Sequence, residues 1–470
     1  MNIDSKLFRD YDIRGIVPWL VDARSIYFGK VGLPETNLAS LDVDDVYTIA
    51  RAFAEYVRPE KVFVGRDTRL SSDKFFEAFA RGLNDAGVNV VSLGTATTGM
   101  FYFTSGKYQQ PAVSITASHA TREINGFKLV REHAQIIGAG SGMEQLRDIA
   151  LKGEFPDVIK RGSIELLDVV DEYVNHACSL FDLSKIKKFK VVFDTSNGPM
   201  YRLLEKLLVK FSCDAVKLNF EPDGNFPNHD PNPLISENRK QLQGVVIKEN
   251  ADIGVIWDGD ADRIMFIDEK GDLVPGDFLT VLFAEHFLKK SPGAAIVYDA
   301  RSSWAVQDHI IASGGRPVIW RVGHAFIKQK MREENAIFGG EVSGHYYFKD
   351  TFFAENDLIP LLITLQTMTE KKKPFSQIVK EIGDYFISGE INFKVEDRNA
   401  SVERVKQSYR GAPKIYFLDG VSVEFPDWHF NVRPSANDPV VRLNVETKKK
   451  ELLTERIEEV SKIIGGKKIP

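Results

Sequence analysis

Three aspartates, Asp258, Asp260 and Asp262, alternate in GVIWDGDADRIMFID directly after an apolar run. Carboxylates crowded this closely repel one another, and a hard cation with a preference for oxygen ligands removes that cost. The sequence therefore points to Mg²⁺. Counting from Asp258 places Glu269 where an EF-hand loop has its last ligand. However, the loop's invariant glycine position holds Arg263, and the flanks IGVIW and IMFID read as strands rather than helices, which excludes that loop. The alternative is an acidic turn between two strands. Three protein ligands leave coordination positions open for substrate or phosphate, and Arg263 beside them is suited to clamp a phosphoryl oxygen.

A second constellation is PAVSITASHATREINGFKLV, where a strand-like run delivers Ser118 and His119 onto a polar loop and Gly126 and Lys128 follow. Loops leaving strand ends are where α/β sheets place their sites. Read alone, Ser118 serves equally as a helix N-cap, and adjacency to His119 in sequence does not make a catalytic dyad. Near the C-terminus, RPSANDPVVRLNVE gathers Arg433, Ser435, Asn437 and Arg442 around a turn, the donor set that binding a phosphate dianion requires, with a solvated hairpin as the alternative. GGEVSGH offers Glu341, Ser343 and His345 on a Gly-rich loop suited to sugar hydroxyls, or is a plain glycine turn.

The elements that must carry these residues repeat one plan. KVFVG, SSDKFFEAFARGLNDAG and VNVVSLG read as strand, helix and strand, with Phe75, Phe79 and Leu83 on one helix face, Ser71 or Ser72 as the cap, and Gly87 as a left-handed terminator. KVVFDTSNG, PMYRLLEKLLVKF and DAVKLNF repeat the plan, as do AAIVYD, SSWAVQDHIIASGG and RPVIWRVG. Continuous apolar strands of this kind suit mostly parallel sheets covered by helices. From about Phe386 the pattern changes to a succession of strands (INFKVED, KIYFLDG, VSVEF, WHFNVRP, VVRLNVE) closed by one amphipathic helix, KELLTERIEEVSKIIGG. That order predicts a smaller α+β domain with an antiparallel sheet. Linkers are expected near 160–166, 270–275 and 383–388.

Taken together and in this order, with YDIRG (Tyr11–Gly15) and GRDTR (Gly65–Arg69) ahead of them, the motifs resemble the α-D-phosphohexomutases over almost the whole chain, particularly the phosphomannomutase/phosphoglucomutase branch. The resemblance implies four domains around a central cleft: 1–163 with the phosphoserine loop, 164–272 with the metal loop, 273–385 with the sugar-recognition loop, and 386–470 with the phosphate-binding loop. Three would be similar α/β domains with mostly parallel mixed sheets. It implies reversible phosphoryl transfer between C1 and C6 of mannose or glucose phosphates through a phosphoserine and hexose 1,6-bisphosphate.

Ser118 would be the phosphorylated serine, sharing the metal with Asp258, Asp260 and Asp262. Arg14, Arg66 and Arg263 would lie near the catalytic phosphate, with Lys128 and His119 as proton-transfer or phosphate-stabilising groups. His324 and Lys328 would contact substrate, as would Glu341, Ser343 and His345. Arg433, Ser435, Asn437 and Arg442 would clamp the phosphate that is not being transferred.

The chain also departs from the family's usual TASHNP and RPSNTEP loops, reading TASHAT and RPSAND, and the segment after YDIRGI is less typical. Val342 in GGEVSGH resembles the apolar position of the mannose and glucose branch, where the glucosamine branch usually has Gln, and so implies mannose and glucose phosphates as substrates. A phosphoglucosamine mutase and a catalytically impaired phosphosugar-binding protein are the alternatives. A nucleotide site at GAGSGM (Gly138–Met143) lacks the Walker lysine and the full GxGxxG spacing.

Composition bounds the rest. The 470 residues suit several domains of roughly 100–200 residues each. A hydrophobic fraction of 43% and a charged fraction of 27% exclude a disordered chain. A formal charge of −5 gives no whole-molecule reason to expect nucleic acid. Cys178 and Cys213 lack the spacing of a metal knuckle or redox pair, so they are expected to be reduced thiols. A charged N-terminus and the lack of a long apolar run lead to the expectation of a cytoplasmic, unanchored protein. A monomer or homodimer is expected, a choice that the sequence does not make.

Overall fold

The computed structural model describes residues 3–22, 38–156, 159–435 and 440–469. The N-terminal sheet comprises β1 (Ile13–Ile16), β2 (Lys61–Arg66), β3 (Asn89–Thr95), β4 (Ala112–Ile115), β5 (Ile124–Arg131), β6 (Gln135–Ile136) and β7 (Ile164–Leu166). Their spatial order is β1-β5-β4-β2-β3-β7, with β6 on β5. β2 runs parallel to β3 and β4, whereas β5 is antiparallel to β4 and β1. β7 pairs in parallel with β3, so the stretch near 160–166 carries a strand as well as a connection.

The helices here are α1 (Val43–Val57), α2 (Ser72–Asp85), α3 (Thr98–Tyr108) and α4 (Met143–Lys152). Phe75, Phe79 and Leu83 of α2 are fully buried, and Phe79 stacks on Phe127 at 5.2 Å. Each such side chain contributes roughly 1.5–3 kcal/mol by leaving water. Gly87 takes the left-handed conformation after the helix (φ 80°). The expected serine cap is absent: Ser71 makes no side-chain cap bond, and Ser72 Oγ donates to Asp67 at 2.7 Å.

The second domain contains α5 (Val170–Ser179), β8 (Phe189–Asp194), α6 (Met200–Leu207), β9 (Cys213–Leu218), α7 (Ser236–Glu249), β10 (Ile253–Trp257) and β11 (Ile264–Asp268). Its sheet order is β11-β10-β8-β9, parallel except for the β10–β11 pair. The third has α8 (Gly276–Lys290), β12 (Ala295–Asp299), α9 (Trp304–Ala312), β13 (Arg316–Trp320), α10 (His324–Glu333) and β14 (Phe338–Gly340), with β12 parallel to both β13 and β14. β15 (Tyr346–Phe348), antiparallel to β16 (Ala354–Glu355), α11 (Ile359–Lys371) and α12 (Phe375–Lys380) follow.

The C-terminal elements are β17 (Phe386–Ile387), β18 (Ile391–Lys394), α13 (Arg398–Ser408), β19 (Lys414–Tyr416), β20 (Val421–Glu424), β21 (Trp428–Pro434), β22 (Val440–Thr447), α14 (Lys450–Ile464) and β23 (Lys467–Ile469). The strands form one antiparallel sheet in the order β19-β20-β21-β22-β18-β23, with β17 on β22. One helix more than the sequence suggests is present. α13 is capped by Asp397, whose side chain accepts from the Ala400 N–H, and it buries only Ser401 and Val405, too few apolar positions to show a helical period.

By packing, the chain forms two compact units. The first takes the described residues up to Val274 and returns for Ser343–Val379; the second takes Pro275–Val342 and the chain from Lys380 onward. No helix among the described residues is long and apolar enough to cross a membrane.

Candidate active site

In the first unit, the turn between β10 and β11 presents the three aspartates. Their carboxylates lie within 4.8 Å of one another, and all three residues are buried. The loop between β4 and β5 brings Ser118 to them: its Oγ lies 2.6 Å from Asp258 Oδ2, to which it donates, and 3.2 Å from Asp262 Oδ1. Ser118 sits in the left-handed region (φ 50°), and no helix follows before β5, so the N-cap reading of this serine is overturned. A non-glycine backbone held in so sparsely populated a conformation needs surroundings that impose it.

Arg69 is a large part of those surroundings. Its Nη2 donates to the carbonyls of Ser118 and Ala120, both at 2.7 Å, and its Nη1 to those of Thr121 (2.7 Å) and Ile124 (2.9 Å). Its Nε holds Asp67 at 3.0 Å. Thr116 Oγ1 lies 2.8 Å from Asp67 Oδ2 and 3.0 Å from Asp260 Oδ2, one hydroxyl hydrogen serving two acceptors. The GRDTR motif was visible in the sequence, but which of its two arginines turns toward the serine loop was not. Arg66 pairs with Asp73 and lies over the Phe76 ring, 5.0 Å from its centroid, with no bond to Ser118.

The charges explain what the site can hold. Lys128, on β5, bonds to Asp260 (2.7 Å) and to Asp262, and to Thr98 Oγ1 at 3.2 Å. Burial opposes its charge, but Asp260 and Asp262 outweigh that and raise its pKa. Asp258 has no such partner: burial, then Asp262 and Asp260, push its carboxyl well above the usual range. Burial works the same way on Asp262, but Lys128, His345 and Arg263 more than offset it and hold that group well down.

Asp260 Oδ1 is buried without a hydrogen-bond partner. An all-oxygen set with an orphaned carboxylate oxygen and a carboxyl ill at ease in its charge fits a hard divalent cation. Arg263 makes no ion pair among the described residues and its buried Nε has no partner, so the guanidinium beside the aspartates is available to an anion. Burial, then Arg263 and Arg14, lower the pKa of His119, whose Nδ1 lies 3.4 Å from Ser118 Oγ. Arg14, on β1, pairs with Asp12 at 2.6 Å.

The GGEVSGH motif runs across the boundary of the two units. Ser343 and His345 belong to the first, where Ser343 Oγ and His345 Nδ1 are 2.9 Å apart and His345 Nε2 lies 3.4 Å from Asp262 Oδ1. Glu341 belongs to the second; its Oε1 accepts from the Gly323 N–H at 2.9 Å, at the start of α10. His324 and Lys328 stand one turn apart on that helix. The antiparallel register of β21 and β22 sets Arg433 opposite Arg442, and Ser435 O accepts from Arg398 Nη1 at 2.8 Å. Asn437 lies outside the described residues. The sequence reading passed over Arg301 and Glu390, which join Arg433 and Arg442 in one charged cluster.

Comparison with known proteins agrees with this arrangement. Models described as phosphoglucomutase/phosphomannomutase domains I, II and III (alpha/beta/alpha) and the C-terminal domain match residues 25–156, 171–271, 275–385 and 390–463. The chain is 37% identical over 451 residues to a phosphomannomutase of Escherichia coli K12, covering 94% of both chains. It is 38% identical over 473 residues to one of Vibrio cholerae, covering 97% of this chain and 98% of the other. A crystal structure of a phosphoglucomutase/phosphomannomutase family protein from Burkholderia thailandensis superimposes with a TM-score of 0.85 at 30% identity, covering 99% of each chain. With all four domains matched and the buried serine and aspartates in contact, the chain belongs to the phosphoglucomutase/phosphomannomutase family of phosphohexose mutases.

Proposed function

We propose that this mutase moves a phosphoryl group between C1 and C6 of mannose and glucose phosphates, with Ser118 as the phosphorylated residue and hexose 1,6-bisphosphate as the intermediate. The observation that carries this reading is Ser118 Oγ at 2.6 Å from Asp258, with Arg263, whose buried Nε has no hydrogen-bond partner among the described residues, in the same turn.

A free sugar hydroxyl attacks the phosphorus of phosphoserine 118. The new O–P bond forms as the bond to Ser118 Oγ breaks, and the hydroxyl proton passes to the His119 imidazole, whose Nδ1 lies 3.4 Å from Ser118 Oγ and can hand a proton on to the departing serine oxygen. Arg263 supplies positive charge to the equatorial oxygens, while Lys128 is engaged as counter-charge to Asp260 and Asp262. Mg²⁺ held by Asp258, Asp260, Asp262 and the Ser118 phosphate would offset the charge that builds on the transferring group.

In the second unit, Arg433, Ser435 and Arg442, with Asn437, take the phosphate that is not being transferred. In that unit Glu341, His324 and Lys328 are assigned to the sugar phosphate; in the first, Ser343 and His345 are assigned to the sugar. The domain limits 163, 272 and 385 belong to the same reading. So does a cytoplasmic location, since charged hexose phosphates do not cross a membrane unaided.

The test is a coupled assay with Mg²⁺ and a trace of glucose 1,6-bisphosphate, offering mannose, glucose and glucosamine 1-phosphates separately to wild type and Ser118→Ala. Turnover of mannose or glucose 1-phosphate, lost by about 10³-fold or more in the variant, is expected. Glucosamine 1-phosphate as the preferred substrate would overturn the substrate reading. Binding of all three sugars without turnover would make the chain a phosphosugar-binding protein.

A further inference from the structure

Glu390 precedes β18, and its carboxylate is the meeting point of three guanidiniums. Oε2 accepts from Arg433 Nη2 at 3.0 Å and lies 3.4 Å from Arg301 Nη1; Oε1 lies 3.4 Å from Arg442 Nη1. None of the three arginines is loosely placed. Arg433 and Arg442 face each other across the β21–β22 ladder. Arg301 is held side-on by Asp299, Nε at 3.0 Å and Nη2 at 2.8 Å, which leaves Nη1 for Glu390. Arg433 is 4% exposed, and its Nε is buried without a hydrogen-bond partner among the described residues. The side chains of Glu390 and Arg442 keep 26% and 22% of their surface in water while those of Arg433 and Arg301 are buried, so a dissolved anion meets the cluster on the side of Glu390 and Arg442.

The cluster resembles an anion site already filled by part of the chain. Burial works against ionisation of Glu390, but Arg442, Arg301 and Arg433 outweigh it and bring its pKa down to about 2, so the carboxylate is charged at any working pH. A carboxylate offers two of the three terminal oxygens that a phosphate offers, to the same N–H forks. Without it, three guanidiniums would repel one another, and an arriving phosphate would meet their whole uncompensated field. Binding that is equally strong before and after transfer does not speed the chemistry, and a mutase must release the far phosphate so that the bisphosphate can exchange its ends.

We propose that Glu390 is a built-in competitor of the substrate phosphate: it holds Arg301, Arg433 and Arg442 in place in the free protein and, by sharing them with a bound phosphate, keeps that phosphate releasable. The proposal rests on the reading above that the second unit binds the phosphate that is not being transferred.

Glu390→Gln keeps the side-chain shape and removes the charge. Inorganic phosphate is titrated calorimetrically into wild type and the variant, and glucose 6-phosphate into both on a Ser118→Ala background. The dissociation constants are expected to fall about tenfold in the variant, as one opposing charge is removed. In steady state, KM should fall and kcat should fall with it as release slows, while kcat/KM does not drop. A brace with no competing role would give the opposite sign, with weaker phosphate binding and raised KM, and that result, or an unchanged constant, overturns the proposal.

Should Glu390→Gln fail to fold, Glu390→Asp, which draws the carboxylate back by one methylene, must shift phosphate affinity in the same direction. Hexose phosphate turnover by wild type separates the two readings. If wild type turns over sugar phosphates while the variant binds phosphate more weakly, only the competitor role falls. If wild type turns over none while the variant still binds inorganic phosphate more tightly, only the mutase mechanism falls.

Discussion

A Cβ added to Gly259 would stand 2.6 Å from the carbonyl oxygen of Ser118. Backbone of the metal loop and backbone of the serine loop therefore touch where only a glycine fits, and that contact sets the distance from Ser118 Oγ to the aspartates. Gly259→Ala must push the loops apart, at about 1–3 kcal/mol of overpacking. We expect a melting temperature lowered by a few degrees and kcat reduced by about 10²-fold, the scale of a 1 Å misplacement of reacting groups. A variant with wild-type kcat would show that the loop spacing is not set by this contact.

Arg69 acts on the same loop from the other side. Its guanidinium serves four carbonyls and one carboxylate, a geometry that the single ammonium of lysine cannot reproduce. Arg69→Lys keeps the charge beside Asp67 but leaves buried carbonyls unserved, each costing about 1–3 kcal/mol where water does not enter. Because Arg69 bonds to the backbone behind Ser118, kcat should fall at least tenfold while KM stays within about twofold. A rise in KM at constant kcat would instead place Arg69 in substrate binding.

The aspartate cluster makes a prediction about the metal-free protein. Lys128 answers Asp260 and Asp262, but the buried Asp258 carboxylate has, among the described residues, only a serine hydroxyl and the Arg263 backbone N–H as hydrogen-bond partners. Asp258→Asn removes one of three mutually repelling buried carboxylates. After chelation, the variant should melt higher than wild type, whereas Mg²⁺ should raise the melting temperature of wild type only. An apo variant less stable than apo wild type would mean that Asp258 is already compensated.

What could be read from the sequence was whatever local pattern encodes: the three strand–helix–strand repeats, the Phe75–Phe79–Leu83 face, and the aspartate turn between two apolar strands. What could not be read depends on long-range register. Glu390, in ISGEIN, looks like any surface acid until β18, β21 and β22 align and bring Arg433 and Arg442 to it. Arg66 and Arg69 differ only in how the chain turns after β2, and that turn is set by Asp67, which accepts the Arg69 N–H at 3.0 Å. α13 escaped because its face is nearly all polar and its signal is a single cap, Asp397.

The second unit also carries a titration of its own. Asp277, in the first turn of α8, is buried and accepts the Ser303 N–H at 3.1 Å. Burial, reinforced by Asp299 and Glu446, overcomes that bond and the Arg301 charge and lifts its pKa to about 7. The folded state therefore binds this proton more tightly than the unfolded chain. Its contribution to stability is fully present below about pH 4 and is lost as pH rises through about 7. Asp277→Asn keeps an acceptor for Ser303 and removes the charge. It should stabilise the protein by as much as a few kcal/mol at pH 8 and by clearly less at pH 5, where the unfolded chain has lost the proton but the folded protein still holds it. Chemical denaturation of both proteins at the two pH values decides it: equal effects at pH 5 and pH 8 would mean that Asp277 titrates as an ordinary exposed carboxylate.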